Sequence, residues 1–326
     1  MKRKIYRQKR KESRMNYHNL LNNWLDFIKT KVKETTYVRY QHLIYQHISP
    51  FLGKYYVDEL NVSLIDHFMN QKLQNGRLDK KGGLSIKTAS DILILIKTTL
   101  QYAKNHQIAM NCCLSLLKIK PQEKKIMILT EREQFKLVTY LLEELNLYKL
   151  GILLSLYTGI RIGELCALKW ENIDLIDKKI YINQTIQRIS NFEKTMNKQT
   201  KIIFSSPKSY CSIREIPLPE FLVTILSRFQ TDAKYYVLSC KNKYVEPRVM
   251  QYQFKKQITQ CGLPSSYSFH CLRHTFATRC VEMGFEIKSL SEILGHSNVN
   301  ITLNRYVHSS FELKMQQMNK LKLFQE

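Results

Sequence analysis

TGIRIGELCALKWENID, residues 158–174, lies where one buried helix ends and another begins. Before it, YKLGILLSLY (148–157) is apolar enough for a helix enclosed in a core, and Gly159 is placed to end it. After Arg161, the residues Glu164, Leu165 and Leu168 resume helical spacing. Upstream, LTEREQFKLVTYLLEELN (129–146) carries Thr130 and, three residues on, Glu133, a capping box. Downstream, residues 178–190 (KKIYINQTIQRIS) and 200–219 (TKIIFSSPKSYCSIREIPLP) alternate in the manner of strands, and helices resume at PEFLVTILSRF (219–229). The chain from residue 129 to 326 therefore reads as a mostly helical domain around a small antiparallel sheet.

Residues 16–110 read as all-helical. Leu20, Leu21, Trp24, Leu25 and Ile28 predict a first helix from about Tyr17 to Lys33. Thr35 or Thr36 would cap a second helix that breaks near Pro50 and Gly53, and Ser63 would cap a third that stops at Gly76. Ser85 caps a long fourth helix through Asn105, with Ile86, Ile92, Leu95, Ile96, Leu100 and Tyr102 on its apolar face. The expectation is a four-helix bundle with a basic outer face. Residues 111–128, mixing Lys with Pro121 and Gln122, read as a linker, and residues 1–15 as a basic flexible arm.

Composition narrows the partners. The 326 residues suit two domains, and 44% hydrophobic residues suffice for real cores. Lys and Arg number 51 against 27 Asp and Glu, a net charge of +24. Such an excess repels itself unless a polyanion is bound, which points to nucleic acid ahead of an anionic membrane surface. No apolar run approaches a membrane span, and no apolar segment follows the basic amino terminus as a secretory signal would require. Eight cysteines without a CxxC give neither a zinc nor a disulfide framework, so they read as small buried hydrophobes in a reducing cytoplasm.

Six residues stand out by their settings: Arg161 in the opening stretch, Lys208 in SSPKSYCSIREIPLP (205–219), His270 and Arg273 in FHCLRHTFAT (269–278), His296 in LGHSNVN (294–300) and Tyr306 in ITLNRYVH (301–308). Arg161 stands beside a helix start, where a guanidinium and backbone N–H groups can meet an anion. Glu164, one turn on, is placed to orient Arg161. Lys208 falls in a turn between strand-like segments, a suitable station for a mobile ammonium. His270 and Arg273, three apart, share a helix face, whereas the adjacent His274 is expected to point into structure. With 19 tyrosines in the chain, only its place after LGH singles out Tyr306, and Tyr267 near the histidine box is the natural control.

In order and flanking sequence this set resembles the active site of the tyrosine recombinases, the phage-integrase family, over about residues 16–310. The resemblance implies a helical core-DNA-binding domain and a mixed α/β catalytic domain closing as a clamp on double-stranded DNA at specific recombination sites. It implies that Arg161, Arg273 and His296 hold the scissile phosphate and that Tyr306 attacks phosphorus. Lys208 would protonate the departing 5′ oxygen, and His270 would accept a proton near the tyrosine. No metal, other cofactor or ATP would be required. It further implies a homo-tetramer on DNA, a tail helix that packs on its own domain or on a neighbour, and room for a directionality or DNA-bending accessory protein. Two other readings share the charge: a type IB topoisomerase-like enzyme and a DNA-binding accessory protein without catalysis.

Overall fold

The computed structural model describes residues 14–109, 112, 113, 115–120, 126–192, 199–206, 210–306, 315, 318 and 319. The expected basic arm up to residue 13, Lys208, and the expected tail helix apart from Met315, Met318 and Asn319 lie outside them. The chain divides into two compact units, one within residues 1–124 and 189–199, the other within 125–188 and 200–326.

The first unit is helical: α1 (Tyr17–Ile28), α2 (Glu34–Leu43), α3 (Ser49–Leu52), α4 (Val62–Asn75) and α5 (Ile86–Asn105). The stripe Leu20, Leu21, Trp24, Leu25 and Ile28 of α1 is buried with Ile92, Leu95, Ile96 and Leu100 of α5, together with Ile65 and Phe68 of α4. Each such side chain contributes on the order of 1.5–3 kcal/mol of burial. Tyr17 Oη and Thr99 Oγ1, both enclosed, satisfy each other at 2.7 Å, so a polar contact ties α1 to α5 without leaving an orphan.

Local signals differ from expectation in three places. Neither Thr35 nor Thr36 caps the second helix, which starts at Glu34 with Lys33 at its N-cap and no side-chain cap bond; its end at Leu52, before Gly53, is where it was expected. Residues Ile44–Ile48 widen into a π turn, with the Ser49 N–H bonded to Ile44 O, and the helix continues through Pro50 to Leu52. The wider turn absorbs the lost N–H and the ring that an α turn would exclude. The cap of α4 is Asn61, whose side chain accepts the Leu64 N–H, rather than Ser63. Part of the expected linker also belongs to the first unit's core, where Cys112 and Leu117 are buried.

The second unit begins with α6 (Glu131–Glu143), whose Thr130–Glu133 capping box is formed, and the enclosed α7 (Leu147–Thr158). Gly159 ends α7 at φ +63°, a left-handed position suited to glycine. The short α8 (Ile162–Ala167) leads to strands β1 (Ile173–Asp174) and β2 (Lys179–Ile182). After β3 (Thr185–Ser190) and β4 (Thr200–Ser205), which pair as a separate two-stranded sheet, comes β5 (Arg214–Pro217). The central antiparallel sheet has the order β1-β2-β5, with Ile180 opposite Ile216 and Ile182 opposite Arg214. Helices α9 (Glu220–Ser227), α10 (Pro247–Gln260), α11 (His270–Glu282), α12 (Ile287–Leu294) and α13 (Val299–Tyr306) follow. One core joins α7, α8, the inward face of the sheet and α10 through Leu150, Leu154, Leu165, Ile180, Ile216 and Phe254.

Candidate active site

Two helix ends build the site. Helix α7 stops at Gly159 and α12 at Gly295, both left-handed (φ +63° and +64°), and each leaves unpaired carbonyls at a negative dipole end. The two arginines of the expected set take those carbonyls. Arg273, on α11, donates through Nη1 to Gly159 O and through Nη2 to Leu294 O, both at 2.7 Å. Arg161 donates through Nη2 to Gly295 O at 3.1 Å and through Nη1 to Glu164 Oε1 at 2.8 Å. Neither glycine tolerates a side chain, since a Cβ on Gly159 would lie 2.7 Å from Phe276 Cδ1 and one on Gly295 would lie 2.9 Å from Arg214 Cδ.

Arg273 is 2% exposed, so its guanidinium has been taken out of water. Burial, and then the neighbouring Arg161 cation, push its pKa down to about 9. It still carries its charge at neutral pH. A buried cation beside a second cation is a site whose electrostatic cost an incoming anion relieves.

His296 joins the pair from the turn after α12. Arg273 Nη2 lies 3.0 Å from His296 Nε2, and arginine only donates, so Nε2 accepts. The ring proton then sits on Nδ1, which donates to the enclosed Thr302 Oγ1 at 2.8 Å. Thr302 is on α13, the helix that carries Tyr306. The Tyr306 ring, 5% exposed, stacks nearly parallel to His296 (7°, centroids 6.4 Å apart).

His274 does not point into structure away from the site. Its Nδ1 lies 2.8 Å from Tyr306 Oη. The reason is helical periodicity: His274 is four residues after His270 and next to Arg273, so all three share the face of α11 that meets α13. His270 is exposed at the start of α11, its ring edge-on to His274 with centroids 4.5 Å apart.

Glu164 anchors the arrangement. Its carboxylate accepts from the Arg161 backbone N–H at 3.1 Å as well as from the Arg161 side chain. That backbone N–H, expected to face an anion, is therefore already used. Glu164 also binds Arg214 in a fork, Oε1 at 3.2 Å and Oε2 at 2.9 Å. Burial alone would raise the Glu164 carboxyl, but the Arg214 charge and hydrogen bond, and then Arg161, hold it below its ordinary value. Arg214 also donates from Nε to Ile293 O at 2.6 Å and from Nη1 to Ser212 O at 3.1 Å. It thus braces β5 against the end of α12 from which His296 projects. Sequence reading passed Arg214 over, although alternation through Ile216 and Leu218 places it on the inward face, where a cation requires a partner.

Tyr267 has a separate role. It is buried and donates its hydroxyl to Glu133 Oε2 at 2.9 Å. Burial and then Glu133 push its phenol up to about 12, the reverse of what a nucleophile needs. Among the described residues no group of three or more His, Cys, Asp or Glu could hold a metal ion, and no helix is long and apolar enough to cross a membrane.

Arg161, Arg273, His296 and Tyr306, with His270 and His274 alongside, are brought to one place in the second unit; Lys208 belongs to the segment between β4 and β5 that is not described. Residues 120–312, more than half the chain, match the phage integrase family, and residues 17–73 match the phage integrase N-terminal SAM-like domain. A tyrosine recombinase XerC-like protein of Caldanaerobacter subterraneus subsp. tengcongensis is 28% identical over 89% of this chain and 78% of its own length. The ICEBs1 integrase of Bacillus subtilis is 21% identical over 92% and 80%. In fold, the chain is similar to the Tn1549 transposon integrase in complex with a circular intermediate DNA (TM-score 0.76, 20% identity, 94% of this chain and 100% of that one). It is also similar to a lambda integrase tetramer bound to a Holliday junction (TM-score 0.62, 18% identity, 87% and 78%).

Proposed function

The chain belongs to the phage integrase family, whose members cut and rejoin DNA, and from that premise we propose that it is a site-specific recombinase working through a 3′-phosphotyrosine. The observation that carries this reading is the convergence of Arg161, Arg273 and His296 beside the Tyr306 hydroxyl.

The scissile phosphate displaces the His296 contact of Arg273 and takes, on its non-bridging oxygens, the guanidinium N–H groups that the helix-end carbonyls leave over. Donors held in advance by helix ends stabilise the extra negative charge of five-coordinate phosphorus without being recruited at the moment of reaction. When Arg273 turns to the phosphate, His296 Nε2 loses its donor. Because the Thr302 hydroxyl can donate as readily as accept, the imidazole can move its proton to Nε2 and offer it to the same phosphate. The Tyr306 oxygen attacks, its proton passing to the His270–His274 pair, and Lys208 protonates the departing 5′ oxygen. The bond energy stays in the tyrosyl ester, so a 5′ hydroxyl from another strand reverses the step with neither ATP nor a divalent ion.

The partner is double-stranded DNA carrying specific recombination sites, bound by both units as a clamp in which residues 16–110 contact the core site. The net charge of +24 and the DNA-bound relatives support that partner. Four protomers act on two sites through a four-way junction, as the tetrameric relative suggests. A directionality or DNA-bending protein selects the outcome, and the enzyme works on the nucleoid.

The test is recovery of DNA that remains covalently attached after denaturation, from cells producing wild-type or Tyr306→Phe protein. Attachment at a few discrete sequences, lost in the variant, supports the reading. Scattered attachment supports a topoisomerase instead, and equal recovery from both proteins refutes the assignment of Tyr306.

A further inference from the structure

We infer that His274, rather than His270, is the general base that takes the Tyr306 proton, His270 serving as a positioning residue on its outer side. The inference rests on the reading of Tyr306 as nucleophile and deepens it.

The geometry assigns the bond to His274, whose Nδ1 stands 2.8 Å from Tyr306 Oη, within the reach a proton transfer needs. Both partners are on rigid elements, since α11 and α13 pack directly on each other. The ring is only partly exposed, and Tyr306 is buried. Described groups facing the pair include His270 and Arg273 from α11 and His296 from the turn after α12. Arg273 is the cation among them, and it favours a phenolate at Tyr306, as Tyr306 in turn favours the charged Arg273. The arrangement therefore supplies both requirements of an activated nucleophile, a base at bonding distance and a fixed positive charge. His270 is exposed and edge-on to His274, close enough to bear on the orientation of the inner ring.

In the step, His274 enters with its proton on Nε2 and its Nδ1 lone pair toward Tyr306. The Oη–H bond breaks as Nδ1–H forms, and the phenolate lone pair forms the O–P bond. The P–O5′ bond then breaks, its electron pair leaving with the 5′ oxygen, which takes a proton from Lys208. The imidazolium returns its proton to the tyrosine when the ester is resolved.

The decisive variant is His274→Asn, because an asparagine side-chain oxygen can occupy the Nδ1 position and accept the same hydrogen bond but cannot take the proton. The probe is a duplex carrying one of the attachment sites mapped from wild-type adducts, with covalent adduct formation followed by denaturing gel from pH 6 to 10. His274→Asn should lose about 100-fold in rate at neutral pH, at the low end of the general-base contribution, and recover as pH approaches the free phenol pKa of ~10. His270→Asn should lose less than about tenfold and show no such recovery, since it acts through the orientation of its neighbour. A His274→Asn rate within threefold of wild type overturns the inference, as does finding the loss and the recovery in His270→Asn instead. Should His274→Asn fail to fold, 3-fluorotyrosine placed at position 306 of the otherwise unaltered chain replaces it. Its fluorine resonance should follow a histidine titration between pH 5 and 8 that survives both His270→Asn and His296→Gln. Absence of that step, or its loss in either variant, overturns the inference. Tyr306→Phe run in parallel separates the two claims: adducts persisting in that variant refute the nucleophile itself, whereas their loss beside an active His274→Asn refutes only the base.

Discussion

Replacing Glu164 by Gln removes one charge and almost no volume, so its cost isolates the electrostatics of the second unit. The carboxylate is shared between Arg161 and Arg214, and the Glu164 and Arg214 side chains are only 3% and 5% exposed. Arg161 is 35% exposed at its side chain and is screened by water, so its share of the pair energy is about 0–1 kcal/mol. Arg214 has no such relief. Deleting one partner of a buried pair leaves the other's charge uncompensated, at a cost of about 3–5 kcal/mol. Against a typical total of about 5–15 kcal/mol, that is a large fraction of the unit's stability. The two tryptophans make the measurement specific, because Trp24 is in the core of the first unit and Trp170 in that of the second. In a Trp24→Phe background, fluorescence reports the second unit alone. With a urea dependence of about 2–3 kcal/mol per molar, the transition of Glu164→Gln should move down by about 1–2 M. The double variant Glu164→Gln/Arg214→Met should cost less than the sum of the single changes, since the second removes the orphaned cation. A shift below about 0.3 M, equivalent to less than about 1 kcal/mol, would refute the reasoning, because it would mean that water reaches the pair in solution.

Further consequences follow from the same geometry. The Glu164 carboxyl is held below its ordinary value, so its stabilisation is present above the unfolded pKa of ~4.3 and is lost as pH falls through the folded value. Acid unfolding of the second unit should accordingly be shallower below about pH 4 in Glu164→Gln than in wild type, read from Trp170 fluorescence. Arg273→Lys keeps the charge but cannot serve Gly159 O, Leu294 O and His296 from one planar fork. It should lower the rate of adduct formation by about 10²–10³-fold, the cost of a lost charge-stabilising donor, with DNA retention in a gel-shift assay little changed. Gly295→Ala forces a left-handed residue, at about 1–2 kcal/mol, and also a Cβ against Arg214, so it should destabilise more than Gly284→Ala, which bears the same left-handed strain next to open space, and it alone should slow adduct formation. Tyr267→Phe should form adducts at the wild-type rate and lose only the stability of its bond to Glu133, about 1–2 kcal/mol in thermal unfolding.

The sequence and the structure agree most closely where a signal is local. Helical spacing located α1 and α5, Thr130 and Ser85 announced their caps, and the two helix-ending glycines lie where turning backbone is required. Arg161, Arg273, His296 and Tyr306 were legible because their flanking residues are as distinctive as the residues themselves. What escaped depends on contacts between distant segments. The pairing of Arg214 with Glu164, 50 residues apart, cannot be read from either neighbourhood, and only strand alternation hints that the arginine points inward. The orientation of His274 was within reach, because a residue four after His270 shares its face, but adjacency to Arg273 suggested the opposite side. The break expected near Pro50 and Gly53 falls at Leu52, whereas the Lys33 cap position in place of Thr35 or Thr36 has no side-chain bond to announce it.

The most direct test of the central claim is mass spectrometry of the covalent complex after denaturation, nuclease digestion and proteolysis. The account predicts a tryptic peptide carrying a nucleotide joined through its 3′ phosphate to Tyr306, with the complementary DNA end bearing a 5′ hydroxyl. A nucleotide on any other residue, or one joined through a 5′ phosphate, would contradict it.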